Sequence, residues 1–534
     1  MQYAAAAGSF PLKPGPAARR PVGAWHALAL LAGVLLVGGY DHLVGEARYA
    51  YSSDSASYLE MAQAMRDGRA PGVVPWGLEL PDQDVMGQPL FPPGLPLLVA
   101  LAAPFAGGAK AALALLPRLA AALLPLVLLV VFRGALGDGL LVLLGVAVLC
   151  TRGIAYWHYV GYSDVPGLVL AIAALGVAWQ AGEARDRRTA LLAGLLAGLC
   201  YAVRNAGLGA IVAVLCYWVV EIWRERRAWR PAAAWLTGLL PVVAALKLYN
   251  LVEFGTPSPY LMPASTRGFM TNLADWVSAQ VGDLRLRAAD ATALPHGVAL
   301  LVLVAVGGVC LVGWWRLRAS PATRLARLLA VYVAAGGAMT VLSRTLYEWG
   351  GFIDDRHALQ YSFALLLTIL IGIEAGSGQR YRRLAGTLLA GLTVWLSAGA
   401  VEAALIEREE PEELARLAAD PGFIGAVHAL PPETWIASDS AALLRIETSR
   451  RVRQSDFGGD DADLAAHLAE LARRVAPRPV AFVLVCDRWT RHLSACNADG
   501  IPAAPCALLR SAPPRAAMCR APALASGGPP GGAP

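Results

Sequence analysis

The chain carries little charge for its length, and almost none of that charge is lysine. Only 16% of its 534 residues are charged, and lysine occurs only at Lys13, Lys110 and Lys247. With 57% hydrophobic residues and a mean hydropathy of +0.50, this composition excludes a single soluble core and indicates repeated membrane crossings. The net charge of +6 does not require a nucleic acid partner, because the arginines cluster in short loops between apolar runs.

The cysteines lack the close pairs that build zinc sites. Four of the eight lie in apolar runs, and the other four follow the last of these runs: Cys486, Cys496, Cys506 and Cys519. If the region after the last run lies in an oxidising compartment, these four cysteines allow two disulfides in any of three connectivities.

The loop arginines predict the orientation. Arg19 and Arg20 precede the first apolar run, and no small-residue cleavage site follows it, so we predict a retained anchor after a cytoplasmic tail at 1–23. Each later basic connector is separated from the next by two apolar runs, which places the C-terminus outside. We predict about eleven spans. They are 24–40, 116–133, 139–153, 165–182, 189–203, 205–222, 232–250, 296–316, 325–343, 361–376 and 383–402.

Residues 90–106 are apolar but do not fit this orientation as a full span. A crossing here would put Asp54 and Asp164 on opposite sides of the membrane and every later basic connector outside. We therefore predict a helix that lies in the outer interface or enters the membrane and returns, with Pro92, Pro93 and Pro96 near its start. An ordinary span with the topology shifted elsewhere is the alternative.

Two carboxylates stand where the chain leaves the lipid on the predicted outer face. Asp54 begins an amphipathic helical pattern, and Asp164 stands two residues before Pro166 at the start of an apolar run. A carboxylate is costly near hydrocarbon, so two on one face predict a reaction site. Helix capping is the alternative for each. The aromatic residues before Asp164 are typical of an interfacial belt, and a sugar-binding surface is the other interpretation.

The order of the motifs resembles the GT-C superfamily of integral membrane glycosyltransferases. The stretches that carry the likeness are SYLEMAQAMRDG, GQPLFPPGLPLLVAL, ALLPRLAAALLPLVLLVVF, YSDVPGLVLAIAALG, AGLLAGLCYAVRNAGLGAIV, NLVEFGTPSPY and DDRHALQYSFALLL. The chain is most similar to the bacterial branch related to protein O-mannosyltransferases and aminoarabinose transferases. Asp54 is followed by Ser55 where many members carry Asp-Glu, and Asp164 stands where Glu is common. Both departures keep one carboxylate but leave the substrate class open.

The resemblance implies a GT-C fold and a transfer reaction. A sugar would pass, with inversion, from a polyprenyl phosphate carrier to a lipid, protein or polysaccharide acceptor on the outer face. Asp54 is the candidate general base. Asp164 would orient the acceptor, hold Asp54 through a shared network, or coordinate a divalent cation. No cofactor is expected. The available ligands are carboxylates, with no His/Cys cluster of metal spacing, so any bound ion would be Mg²⁺ or Mn²⁺ and not zinc, and the absence of a metal is the favoured interpretation.

Arginines near the leaving phosphate would lower the barrier of such a reaction. The candidates are Arg204 and Arg356. Arg204 has the alternative of reaching outer lipid headgroups, and Arg356 that of pairing with Asp354 or Asp355. The candidate substrate pocket contains Tyr58, Tyr162 and His158.

The composition changes after residue 402. We predict a transmembrane domain at 24–402 with an outer loop at 41–115, a small extracytoplasmic α/β domain at 403–520, and a disordered tail at 521–534. The expected location is the bacterial inner membrane. Two other function classes remain open: a multispan transporter or flippase, and a non-catalytic envelope assembly protein.

Overall fold

The computed structural model describes most of the helical part of the chain and sections of its C-terminal part. The described residues are 23–44, 52–69, 71, 91–257, 264–284, 321–347, 353–377, 379–406, 416–438, 440–450, 452–454, 480–486, 506–510 and 515–520.

The chain forms an α-helical polytopic bundle. Its helices are α1 (Ala24–Val44), α2 (Ser53–Arg66), α3 (Gly94–Ala106), α4 (Ala109–Val131), α5 (Asp138–Leu149), α6 (Arg152–Trp157), α7 (Asp164–Ala184), α8 (Arg187–Val203), α9 (Leu208–Arg224), α10 (Trp229–Phe254), α11 (Phe269–Asp283), α12 (Pro321–Leu346), α13 (Asp355–Ser377), α14 (Gln379–Ile406), α15 (Pro421–His428) and α16 (Ala441–Thr448). Among the described residues, 8 helical segments are long and apolar enough to cross a membrane.

Three of the predicted spans differ from these 8 segments. Residues 139–153 are divided: α5 has 12 residues, and the backbone turns at Cys150 and Thr151 before α6. At 1.5 Å per residue, α5 rises only about 18 Å. Helix α8 has 17 residues, at the lower limit for a crossing. The span predicted at 296–316 lies outside the described residues.

The predicted interfacial helix is α3, which has 13 residues. It rises about 20 Å, too short to cross the hydrocarbon core. It packs against α2, α4 and α8. Its first residue, Gly94, fits closely on α8, because a Cβ there would stand 2.5 Å from the carbonyl oxygen of Ala202. The beginning of α3 is thereby fixed beside the end of α8.

Helix α2 forms where the sequence predicts an amphipathic helix. Ser52 is its N-cap and accepts a hydrogen bond from the Ser55 N–H at 3.1 Å. Tyr58, Met61 and Ala62 lie on the buried face and pack against α3 and α4.

Helices α7, α8, α9 and α12 meet at the end of the bundle that the sequence places inside. Arg185 contacts Glu221 at 3.3 Å, and Arg324 contacts Glu183 at 2.7 Å and Glu221 at 3.7 Å. Glu221 is 2% exposed, so its pairing with several arginines limits the cost of burying its charge. The opposite ends of α7 and α8 lie with the beginnings of α2 and α13 at the other end of the bundle.

Five strands in the C-terminal part form one mixed sheet. They are β1 (Trp435–Ser438), β2 (Val452–Gln454), β3 (Val480–Cys486), β4 (Cys506–Arg510) and β5 (Arg515–Arg520), in the order β2-β1-β3-β5-β4. The pairs β1–β2 and β1–β3 are parallel, and β3–β5 and β4–β5 are antiparallel. The hydrophobic pattern of this region also predicts a helix near residues 462–475, which lie outside the described ranges. The domain boundaries at 24, 402 and 520 stay predictions.

Helix α16 attaches this sheet to the end of the bundle where α2 begins. It packs on α2, where Arg445 Nη1 lies 3.3 Å from Glu60 Oε1, and Glu447 pairs with Lys110 of α4. Ile446 packs against the same apolar cluster as Tyr58.

Candidate active site

Four charged residues that are distant in sequence meet at the end of the bundle that the sequence places outside. They are Asp54 of α2, Asp164 of α7, Arg356 of α13, and Arg204, which follows α8 directly. Each of these residues lies at or next to a helix end, so helix packing alone brings them together. The two arginines balance the two carboxylates, and the cluster has no net formal charge.

Asp164 is the centre of this cluster. It is 0% exposed, and its carboxylate accepts from Arg204 Nη2 at 2.7 Å and from Arg356 Nε at 3.1 Å to each oxygen. Gln360 Nε2 donates to the Asp164 backbone carbonyl at 2.9 Å, which ties α13 to α7. A buried carboxylate with two guanidinium partners is well compensated, and losing either partner would be costly.

Asp54 shares Arg356 with Asp164. Arg356 Nη2 donates to Asp54 Oδ2, while Nε of the same guanidinium holds Asp164. The side chain of Asp54 is 14% exposed, so it is the more accessible of the two carboxylates. Arg356 is therefore the bridge that joins α2 and α7.

The loop at 160–163 positions α2 for this contact. Ser55 Oγ donates to the Val160 carbonyl at 2.7 Å, and the Tyr58 hydroxyl lies 2.7 Å from Ser163 Oγ. The loop turns at Gly161, where φ is +78°, a left-handed conformation that favours glycine.

Aromatic rings cover one side of the cluster. The Arg356 guanidinium lies 4.2 Å from the Tyr162 ring centroid and 5.6 Å from that of Trp157, and these two rings are stacked at 5.1 Å. Burial raises the pKa values of Tyr58 and Tyr162 well above the ordinary value, and the charge of Asp54 adds to the effect. Both hydroxyls stay protonated at neutral pH.

Arg204 lies against α7 because Gly167 has no side chain. A Cβ on Gly167 would stand 3.1 Å from the Arg204 Cβ and 3.2 Å from its Cδ. The guanidinium then reaches Asp164, and Nη1 lies 3.5 Å from Ser163 Oγ.

The neighbours of Arg356 along the chain have other partners. Asp355 Oδ2 pairs with Arg152 at 3.1 Å, and Asp354 Oδ1 lies 2.8 Å from His357 Nδ1. The alternative in which Arg356 pairs with Asp354 or Asp355 therefore does not occur. These contacts fix the first turn of α13 and aim the Arg356 side chain at the two carboxylates.

The structure brings six of the seven candidate site residues together. Asp54, Asp164, Arg204 and Arg356 form the charge cluster, and Tyr58 and Tyr162 border it. His158 lies elsewhere: it is 3% exposed, its Nδ1 lies 2.9 Å from the Ile154 carbonyl, and its ring packs on Tyr40. The capping alternative does not hold for Asp54, because Ser52 is the N-cap of α2. The Asp164 carboxylate binds guanidinium groups and does not act as a cap.

The cluster is a poor match for a cation site. Within the described ranges, no three His, Cys, Asp or Glu residues form a group that could hold a metal ion. Asp54 and Asp164 already face guanidinium groups, and each would have to exchange an arginine for the cation.

Sequence reasoning missed several residues around the site. The sequence gives no reason to assign Gln360 or Ser163 to the site beyond their positions in the motifs DDRHALQYSFALLL and YSDVPGLVLAIAALG. Arg118, in the predicted span 116–133, had a clear one, since an arginine inside a span requires a partner. Its Nε lies 2.9 Å from Asp41 Oδ2.

Comparison with known proteins gives structural matches only. No family model and no curated protein matches the sequence. The structure of ArnT from Cupriavidus metallidurans bound to undecaprenyl phosphate is similar at a TM-score of 0.53 and 13% identity, over 95% of this chain and 98% of that one. Its apo state gives a TM-score of 0.54 at 13% identity, over 93% and 97%.

A more distant structural match is the apo oligosaccharyltransferase of Archaeoglobus fulgidus. Its TM-score is 0.51 at 11% identity, over 86% of this chain and 69% of that one. The chain thus has the fold of these solved structures, and 8 of its described helical segments are long and apolar enough to cross a membrane.

Proposed function

We propose that the protein transfers a sugar from a polyprenyl phosphate carrier to an acceptor on the outer face of the membrane. The observation that carries the proposal is the convergence of Asp54, Asp164, Arg204 and Arg356 at one end of a GT-C bundle. The similar ArnT structure binds undecaprenyl phosphate, which supports a lipid phosphate as the donor carrier. The proposal also places the protein in the bacterial inner membrane and takes the transferred sugar to be a hexose or a pentose.

Asp54 acts as the general base in this proposal. It takes the proton of the acceptor nucleophile as that atom bonds to the anomeric carbon. The bond from the anomeric carbon to the phosphate oxygen breaks, and its electron pair leaves with the polyprenyl phosphate. Attack opposite the leaving group inverts the anomeric configuration.

Arg356 and Arg204 bind the donor phosphate, where charge develops as the bond breaks. Both guanidiniums face carboxylates in the structure. Asp54 is the partner that a phosphate displaces from Arg356, since its side chain is 14% exposed and Asp164 is fully buried. Donor binding thereby releases Asp54 to accept a proton. Asp164 keeps both arginines in place and acts as a positioning residue.

Tyr58 and Tyr162 border the sugar pocket as neutral donors. Tyr162 also stacks on Trp157 beside Arg356, so that aromatic rings cover one side of the guanidinium and reduce its contact with water. Water-excluded electrostatic contacts are stronger than those in solvent. The acceptor reaches the site from the side of Asp54, the more exposed carboxylate.

The test compares surface glycans and glycolipids by mass spectrometry in a deletion strain. The strain is complemented with wild type, with Asp54→Asn, or with Asp67→Asn as the matched control. Asp67 lies at the exposed end of the same helix and pairs with Arg69 at 2.7 Å. We expect a glycan species that the deletion loses, that wild type and Asp67→Asn restore, and that Asp54→Asn does not restore.

A second measurement separates donor binding from chemistry. Native mass spectrometry of the purified protein with undecaprenyl phosphate should show bound lipid for wild type and for Asp54→Asn, and much less for Arg356→Gln and Arg204→Gln. A transporter would move the carrier without any product that depends on Asp54. An assembly protein would tolerate Asp54→Asn. Either result would contradict the proposal.

A further inference from the structure

A second polar site lies apart from the charge cluster, at the outer end of an apolar groove. The groove runs between α1 and α14 and is closed at its base by the ends of α5 and α6. It encloses about 210 Å³. Leu35 and Val401 on its rim are 63% and 43% exposed, so it opens toward the lipid.

His158 lines this groove and faces a carboxylate. Its Nε2 lies 3.8 Å from Asp41 Oδ1, and within the described part of the chain no hydrogen-bond partner reaches Nε2. His158 Nδ1 donates to the Ile154 carbonyl at 2.9 Å, which leaves Nε2 as the acceptor of a neutral imidazole. Burial lowers the pKa of His158 to about 4, so the ring is neutral at pH 7.

Two acceptors therefore face each other with no donor between them. One group that donates in two directions satisfies both, and an ammonium does so while also complementing the carboxylate charge. Arg118 holds Asp41 from the other side, with Nε 3.0 Å from Oδ1 and 2.9 Å from Oδ2. The arginine and the carboxylate together have no net charge, which matches a zwitterionic ligand and not an anion.

The site is separate from the proposed donor site. The rings of Trp157, Tyr156 and Tyr159 contact one another in turn between Arg356 and His158. A lipid phosphate without an ammonium group would meet only acceptors at His158 and Asp41.

We propose that this groove binds an amino phospholipid of the outer leaflet, with an acyl chain along α1 and α14 and its ammonium beside His158 Nε2 and Asp41 Oδ1, donating a hydrogen bond to each. The lipid phosphate then lies on the side of Arg118. Such a lipid fills the gap between α1 and α14, the first and last long apolar helices of the described bundle.

The test is native mass spectrometry of the delipidated full-length protein. The probes are phosphatidylethanolamine, phosphatidylglycerol with the same acyl chains, and undecaprenyl phosphate. We expect phosphatidylethanolamine to be retained about tenfold better than phosphatidylglycerol, as one charge-assisted hydrogen bond provides. Asp41→Asn should remove this preference.

A pair of variants on α14 locates the site. Val401→Trp fills the groove and should lower phosphatidylethanolamine binding at least tenfold. Val394→Trp makes the same exchange two turns earlier on the same face, where the residue is 70% exposed and outside the groove, and should have no effect. Both positions face lipid, so neither exchange should affect folding. This pair therefore tests the site even if Asp41→Asn proves unstable.

Three outcomes would overturn the proposal. They are equal retention of the two phospholipids, no effect of Val401→Trp, or a loss of undecaprenyl phosphate binding alone in Val401→Trp, which would assign the groove to the sugar carrier. None of these outcomes changes the glycan profile expected for Asp54→Asn, so the two proposals can fail independently.

Discussion

Replacing the two carboxylates of the charge cluster should have very different effects on stability. Asp164 is fully buried and holds Arg204 at 2.7 Å and Arg356 at 3.1 Å. Asp164→Asn leaves Arg204 and Arg356, whose side chains are 13% and 20% exposed, with Asp54 as the remaining carboxylate. Removing one partner of a buried ion pair costs about 3–5 kcal/mol, and we expect the free energy of unfolding to fall by that amount.

Asp54→Asn should cost much less. Its side chain is 14% exposed, and Arg356 keeps its contact with Asp164. The loss is then one charge-assisted hydrogen bond, about 1.5 kcal/mol. The assay is a reversible denaturant titration in mixed micelles, with the free energy compared at equal slope. The double variant Asp164→Asn/Arg204→Gln should recover part of the loss, because it removes one unpaired cation. Equal destabilisation by Asp54→Asn and Asp164→Asn would refute this account of the cluster.

Three further predictions concern other parts of the molecule. Gly167→Val should displace Arg204, because the new Cβ would stand 3.1 Å from the Arg204 Cβ. Undecaprenyl phosphate binding should fall more than in the control Gly391→Val, where a Cβ meets no atom within 4 Å, and equal binding by the two variants would contradict this. The pKa of His158 is lowered from its ordinary 6.5 to about 4, so its stabilising contribution is present above pH 6.5 and is lost as the pH falls toward 4; His158→Gln should flatten that part of the stability profile. Cys506 and Cys519 are opposite each other in the β4–β5 register, and in an oxidising compartment we expect peptide mapping without reduction to find them joined; alkylation of both thiols would exclude this.

The sequence predicts which charged residues meet, for a physical reason. Asp54, Asp164, Arg204 and Arg356 all stand at the ends of apolar runs, and the loop arginines decide which ends share a side of the membrane. Charges at such positions are costly unless they are compensated, so their meeting follows from the orientation.

The pairing within the cluster and the finer helix boundaries require the structure. That Arg356 bridges Asp54 and Asp164 depends on contacts across 302 and 192 positions of the chain. The break between α5 and α6 has no proline signal, and α11 is too polar to be recognised as a packed helix, although Trp276 is buried. The sequence predicts His158 and Tyr162 in one pocket, but Tyr162 lies against Arg356, whereas His158 contacts the Ile154 carbonyl and the Tyr40 ring.

The contact between α16 and α2 constrains any exchange of C-terminal segments between related chains. Arg445 of α16 pairs with Glu60, and Glu447 pairs with Lys110. Ile446 packs against the apolar cluster around Tyr58. A transplanted segment without these three side chains would remove the Arg445 contact of Glu60, which lies on α2 six residues after Asp54. Chimeric proteins should therefore carry α2 and α16 from the same parent.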